Sequence, residues 1–324
     1  MAVNPTLPYR QISSKIWPGA EFVRCSDLEG GLSAQVTAIE AGLSGGRVVR
    51  AVVRRYGAAD RKRNPDIARD QFELHLGLHR NRLAVPKPLL FDDSGRIFDV
   101  PFLVLEYIEG STELDPQNVE GGIRQLAAHL AKIHKISGTA SIVSMLPPVE
   151  QLCLSKLGYC EACSESGSRE KNVTERPASE ERVRELLRSV MPLPRRNPPV
   201  LIHGDYWPGN VLWKDGCLAA VIDWEDAAVG DPLVDVSNAR LEILWAFGPA
   251  GMEEFTRHYL EQMPEVDFAD LPYWDLYAAI RLAPSEFACW GLEAEKENIM
   301  RERHREFVDK ALSALPVDIA HLGL

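Results

Sequence analysis

Positive charge is the scarcer sign in this chain: 36 Lys and Arg stand against 47 Asp and Glu, for a net charge of -11. No basic stripe is available to displace counterions from a phosphate backbone, which argues against nucleic acid as a main partner. The acidic balance favours cationic or neutral small molecules over large anionic ones. Long apolar runs are missing too. No stretch approaches the roughly 18 to 20 apolar residues that a membrane span needs. The opening MAVNPTLPYRQISSKIWPGAE carries no apolar core of signal-peptide length, so the expectation is a cytoplasmic protein with no membrane partner. Six cysteines in 324 residues do not make a disulfide framework. Cys153, Cys160 and Cys163 lie close together, but no second matched pair of metal ligands accompanies them, and they read as free thiols on a helical segment. No internal repeat is visible.

What the chain does have is an ordinary globular composition, 45% apolar and 26% charged, at a length that suits two domains or two lobes. Residues 1–20 read as an N-terminal extension. From residue 21 short apolar runs alternate with glycine clusters. Val36 and Ala38, then Val48 and Val52, show the period of two that marks strands, and Ser44-Gly45-Gly46 marks a turn between them. PDIARDQFELHLGLHRNRL has helical spacing, with Phe72, Leu76 and Leu83, or Leu74 and Leu78, for its buried face. Phe102 to Ile108 reads as one more buried strand. Beyond it Val119, Ile123, Leu126, Leu130 and Ile133 form a helical stripe, 164–180 is polar and reads as an insertion, 201–235 is strand and loop, and the rest is helical. The fold class is α+β: a β-rich N-lobe over 21–107 and a larger, mostly helical C-lobe over 108–324.

Chemistry concentrates in LIHGDYWPGNVLW, residues 201–213, and in VIDWEDAAVGDP after it. Magnesium takes one or two hard oxygen ligands from a protein and the rest from water and phosphate. Asn210 and Asp223 are short oxygen donors of that kind. Asp205, near both, suits another role. A carboxylate there accepts the proton of an attacking hydroxyl and aims its oxygen at phosphorus. Phosphoryl transfer has a loose transition state, so positioning and charge neutralisation dominate.

HGDYWPGN followed by IDWED and GDP resembles the aminoglycoside phosphotransferase and choline kinase superfamily, a phosphotransferase family with a protein-kinase-like bilobal fold. The likeness runs over roughly residues 20 to 310. It implies ATP and Mg2+ as cofactors, Asp205 as the catalytic carboxylate, and Asn210 and Asp223 as the metal ligands. It also implies a phosphate-covering loop in LEGGLSAQ, with backbone N–H groups over Gly31, Leu32, Ser33 and Ala34 and the Ser33 hydroxyl reaching phosphate. The strand position that usually holds lysine holds arginine in AVVRRYG: Arg54, with Arg55 as the register alternative. Glu73 is the implied ion-pair partner. LEYIEG implies a hinge whose backbone at Glu106 and Ile108 meets adenine.

His203 and His134 read as packed, hydrogen-bonded histidines. Asp235 reads as a buried acceptor for catalytic-loop N–H groups, with Asp231 capping the same turn. Trp245, Tyr273, Trp274, Tyr277 and Trp290 read as core. The function implied is a small-molecule O-phosphotransferase with an aminoglycoside-like, other antibiotic, amino-alcohol or sugar acceptor; Glu225, Asp226, Asp231 and Asp235 would suit an amine. Two readings compete: a nucleotide-binding scaffold without catalysis, which would not need Asp205, and a protein kinase, disfavoured because no activation segment follows Asp223.

Overall fold

The computed structural model describes residues 6–28, 34–136, 142–158 and 177–316. The chain divides into two compact units. The first takes the chain to Ser111 together with 212–214 and 218–222; the second takes the remainder. The division falls at 111, where the sequence pattern places it at 107.

The first unit begins with a helix, α1 (Leu7–Ile16), and continues through strands β1 (Glu21–Asp27), β2 (Ala34–Gly42) and β3 (Val48–Tyr56). Short α2 (Ala58–Arg63) and longer α3 (Ile67–Arg80) follow, then β4 (Pro88–Asp92) and β5 (Phe102–Glu106). The five strands form one antiparallel sheet in the order β1-β2-β3-β5-β4. Side chains alternate across it, so each face has its own core. Ala51, Val53, Ile39, Phe102 and Val104 meet Tyr9 and Ile12 of α1. Tyr56, Ala34, Leu103 and Leu105 meet Ile67 and Ala68 of α3.

Residues 7–16 are therefore part of this unit's core, where the sequence pattern reads 1–20 as an N-terminal extension. Ile12 is wholly buried, worth about 1.5–3 kcal/mol of apolar burial, and the Tyr9 hydroxyl lies 3.1 Å from Thr37 Oγ1. The segment looks like an extension because its few apolar residues are diluted by Ser, Lys, Arg and Gln. On α3 the structure selects Leu74 and Leu78 for the buried face.

The second unit holds α4 (Val119–His134), α5 (Val149–Lys156), α6 (Ala178–Val190), the paired strands β6 (Val200–Ile202) and β9 (Ala228–Gly230), and helices α7 (Leu233–Gln262), α8 (Leu271–Arg281) and α9 (Ala294–Ser313). In the chain between β6 and β9, β7 (Val211–Lys214) and β8 (Cys217–Val221) form a hairpin, most of whose residues count with the first unit. Its Asp215-Gly216 turn has φ of 51° and 74°, the left-handed pair that an Asp-Gly hairpin turn requires.

The α4 stripe lies inward as its spacing requires, with Leu126, Leu130 and Ile133 fully buried. Helix α7 breaks its path at Gly248, φ 80°, before Pro249. Pro249 has no N–H for the carbonyl of Trp245, four residues back. Arg303 Nη1 takes the place of that donor, at 2.7 Å from Trp245 O and 3.1 Å from Leu244 O. Trp245, Tyr273, Trp274 and Tyr277 are core residues, whereas Trp290 is 37% exposed. Among the described residues no helix is long and apolar enough to cross a membrane.

Candidate active site

The antiparallel pairing of β6 with β9 brings two loops side by side. Strand β6 runs into His203–Asn210, and Asp223–Ala227 runs into β9. They touch closely: a Cβ added to Gly204, whose φ is +85°, would lie 2.1 Å from Asp226 O. Only glycine fits there. The ring of His203 packs against Trp224 at 4.5 Å between centroids, which ties the neighbours of Asp205 and Asp223 together. Asp223 itself has φ +66°, a left-handed conformation that aspartate tolerates better than most residues and that turns the chain out of β8.

The loop holding Asp205 is fastened from beneath. Asp235, in the first turn of α7, is wholly buried and accepts from His203 N at 2.7 Å and from Gly204 N at 2.8 Å. His134 Nε2 lies 3.2 Å from the same carboxylate, and His134 Nδ1 lies 2.6 Å from the Tyr259 hydroxyl. Burial is the largest single influence on the Asp235 carboxyl and pushes it up. The hydrogen bonds and fields of His134 and His203 together outweigh it and hold the group below the usual carboxylate range. His203 Nδ1 accepts from Asp205 N at 3.2 Å. Both histidines are thus structural, as the motif reading has them. Further along, Tyr206 is buried, its hydroxyl donating to Leu126 O at 3.0 Å, while Asn238 Nδ2 donates to Tyr206 O at 3.2 Å. Asp231 accepts from Leu233 N at 2.9 Å and from Asn197 Nδ2, capping the start of α7.

The Asp205 carboxylate, 30% exposed, is held on both oxygens. Asn210 Nδ2 donates to Asp205 Oδ2 at 2.9 Å and to its backbone O at 2.8 Å. Two acceptors can be met only by the NH2 side of the amide, which fixes the orientation of Asn210. Its Oδ1 accepts no hydrogen bond from the described residues and is the atom left for a ligand. On the other side Arg281 Nη2 donates to Asp205 Oδ1 and, at 2.8 Å, to Asn238 Oδ1. Its Nη1 lies 3.9 Å from Asp226 Oδ2. Burial favours the neutral form of Arg281, but the field and hydrogen bond of Asp205 prevail and raise its pKa above the ordinary value.

The donor set at Asn210 and Asp223, one neutral amide oxygen and one carboxylate, fits a hard divalent cation that takes its other ligands from phosphate and water. Among the described residues no group of three or more His, Cys, Asp or Glu is placed to hold a metal. Cys153 is buried with its thiol pushed up to about 12, chiefly by burial; Cys160 and Cys163 lie outside the described residues, as does most of 164–180.

In the first unit, Gly31, Leu32 and Ser33 also lie outside the described residues, and Ala34 opens β2 opposite Tyr56. The two arginines of β3 separate onto opposite faces. Arg55 stacks over Phe98 at 4.7 Å and Tyr9 at 5.9 Å, on the α1 side. Arg54 shares the face of Tyr56, on the α3 side. Glu73 is exposed on α3, and no ion pair joins it to Arg54 among the described residues. Helical phase explains this: Leu74 and Leu78 take the sheet-facing side and Glu73 falls away from it. At the hinge, Glu106 N donates to Lys87 O at 2.8 Å. Ile108, past the end of β5, has its N–H uncommitted among the described residues.

Three site residues escape a reading of the sequence: Arg281, Asn238 and Glu242. Asp235, Asn238 and Glu242 share one face of α7 at spacings of three and four, a signal present in helical phase. Arg281 has no local motif at all. The Glu242 carboxyl is pushed up to about 8 by burial first and the field of Asp205 second, against Arg281. Unfolded, it ionises near 4.5. The folded state therefore keeps a proton that the unfolded state loses across that window, and stability falls as pH rises through it. Glu242→Gln should raise the melting temperature at pH 8.5 by about 2–4 °C, roughly 1–3 kcal/mol, and change it little at pH 4.5. Thermal melts at the two pH values check this; an equal shift at both would refute it. The acid run expected to suit an amine is largely committed internally: Asp231 and Asp235 hold backbone and side-chain N–H groups, and Asp226 faces Arg281.

The sequence profile of the Phosphotransferase enzyme family matches residues 24–271, well over half the chain. The hygromycin-B 4-O-kinase of Escherichia coli is 38% identical over 66 residues, covering 20% of this chain and 18% of that protein. Acyl-CoA dehydrogenase family member 11 of Rattus norvegicus is 24% identical over 191 residues, covering 54% of this chain and 23% of that protein. The chain thus spans less than a quarter of the curated relatives it matches. Among solved structures, the streptomycin-ATP-APH(2")-IIa ternary complex superposes with a TM-score of 0.55 at 19% identity, over 86% of this chain and 90% of that one. That likeness is one of fold, the protein-kinase-like α+β fold that the motifs imply.

Proposed function

We propose, from the premise that the chain belongs to the phosphotransferase enzyme family, that it moves the γ-phosphoryl group of ATP to a hydroxyl of a small molecule in a Mg2+-dependent reaction. The observation that carries this reading is the Asp205 carboxylate, partly open to solvent and gripped on one oxygen by Asn210 and on the other by Arg281. Each carboxylate oxygen has a second lone pair, so Asp205 can accept a hydrogen bond from an incoming hydroxyl without releasing either grip. As the oxygen–phosphorus bond forms and the β–γ bridge breaks, the hydroxyl proton passes to Asp205 and ADP departs with the bridging oxygen.

Asn210 Oδ1 and Asp223 would hold the cation, which supplies charge neutralisation at the phosphates. Arg54, on the α3 face of β3, is the cation assigned to the α- and β-phosphates, and the Glu106 carbonyl with the Ile108 N–H to adenine. The streptomycin complex of the fold relative, which contains ATP, supports the choice of nucleotide. The acceptor is aminoglycoside-, amino-alcohol- or sugar-like.

The test is transfer of label from γ-32P-labelled ATP to a panel of such acceptors, with and without Mg2+. Asp223→Ala should lower kcat by about 10²–10³ and shift the Mg2+ requirement to higher concentration. Nucleotide binding with no transfer to any acceptor would instead favour a non-catalytic scaffold.

A further inference from the structure

We infer that Arg281 is a positioning residue for phosphoryl transfer: by holding Asp205 Oδ1 it fixes the plane in which that carboxylate meets the acceptor hydroxyl. This rests on the reading of Asp205 given above. A loop aspartate has two free side-chain torsions, and one partner cannot fix both. Asn210 holds Oδ2 from within the loop, five residues on. Arg281 holds Oδ1 from α8, 76 residues away in sequence. With opposite oxygens held from opposite sides, the carboxylate plane is set. Only a planar guanidinium spans the arrangement seen here, with Nη2 shared between Asp205 Oδ1 and Asn238 Oδ1 while Nη1 faces Asp226.

The guanidinium also lets acids stand together. Asp205 and Asp226 both lie in the field of Arg281, and without it their mutual repulsion would turn the Asp205 side chain outward.

Arg281 is in turn held in place. Arg184 Nη2 donates to the carbonyl of the preceding residue, Ile280, at 3.2 Å, and Arg184 Nη1 donates to Lys156 O at 3.2 Å. Just beyond, Ser285 N and Oγ donate to the buried carboxylate of Glu180 at 3.2 and 2.9 Å. The C-terminal end of α8 is thereby tied to α5 and α6, and a cation suits that helix end.

The experiment uses a probe that needs no known acceptor: phosphate release from Mg·ATP with water as the attacking group, in the full chain. Arg281→Ala should lower the rate constant ten- to a hundredfold, as expected for a misaligned catalytic group, with KM for ATP changed by less than about twofold. Added guanidinium at tens of millimolar should restore much of the loss. Arg281→Lys should recover less than guanidinium does. The double variant Asp205→Ala/Arg281→Ala should be no slower than Asp205→Ala alone, because Arg281 acts through Asp205.

An Arg281→Ala rate equal to wild type would overturn the inference. So would a loss that guanidinium does not restore and that multiplies with Asp205→Ala. Should the alanine variant not fold, Arg281→Gln, which keeps a donor and the side-chain bulk, replaces it with the same expectations apart from rescue. Wild-type release no faster than that of Asp205→Ala would instead remove the assignment of Asp205 itself, which is a separable result.

Discussion

Asp205→Ala is expected to lower phosphoryl transfer by about 10²–10⁴, with nucleotide affinity held within a few-fold. The size follows from what the carboxylate does. In the proposed reaction it accepts the proton and aims the attacking oxygen, and the two groups that hold it cannot take over that role. Asn210 and Arg281 present donors to it, not acceptors.

Asp205→Asn is the sharper probe. It keeps the shape and one carbonyl oxygen, but its NH2 must face either Asn210 Nδ2 or Arg281 Nη2, donor against donor. Its loss of rate should equal that of alanine, and the geometric fit of the asparagine should not help. Removing the carboxylate also leaves Arg281 with Asp226 and Asn238 as its remaining partners, so both variants should melt lower than wild type. Initial rates with the best acceptor of the panel, and ATP binding by calorimetry, separate the two effects. A variant that turned over within tenfold of wild type would end the assignment of Asp205 as the proton acceptor.

The readable part of this site is the part that is local in sequence. His203, Asp205, Asn210 and Asp223 fall within two short loops, and the chemistry of each loop is written in consecutive residues. The pairing of β6 with β9 that brings the loops together spans three-residue strands, too short to announce a register. Arg54 and Arg55 can be separated only by knowing what covers each face of β3. The cover on one face is α1, the very segment that reads as an extension. Glu73 is legible as helical but not in phase, because α3 offers two apolar stripes and the sheet takes only one. Arg281 is illegible for a plainer reason: a lone arginine after LYAAI looks like any helix-terminal arginine until the fold delivers Asp205 to it.

Asp235 carries the second large expectation, and it concerns the frame that holds the His203–Asn210 loop. Asp235→Asn should cost about 3–5 kcal/mol at pH 7, and transfer should fall with it even in the folded fraction. The two N–H groups of His203 and Gly204 converge on the two oxygens of one buried carboxylate. Asparagine offers one oxygen and one NH2, so a loop N–H must meet another donor in a site with no exposure.

The pH dependence has a definite sign. The wild-type carboxyl is held below its ordinary 3.8, so the unfolded state takes up its proton first as pH falls. Its contribution to stability is therefore complete above that value and is lost below it. The asparagine has no such proton. The gap in stability between the two proteins should be widest near neutrality and close as the pH drops beneath about 4. Urea unfolding at pH 7 and at pH 3.5 measures the gap at both ends. An Asp235→Asn protein as stable as wild type at pH 7 would mean that the loop is held by the Tyr206 and Asn238 contacts alone. Those contacts grip residue 206 and leave Gly204 free to turn, and a freed Gly204 carries Asp205 off the line between Asn210 and Arg281. Loss of rate without loss of stability would locate the frame's purpose in aiming the carboxylate; loss of both, as expected here, locates it in the fold of the loop itself.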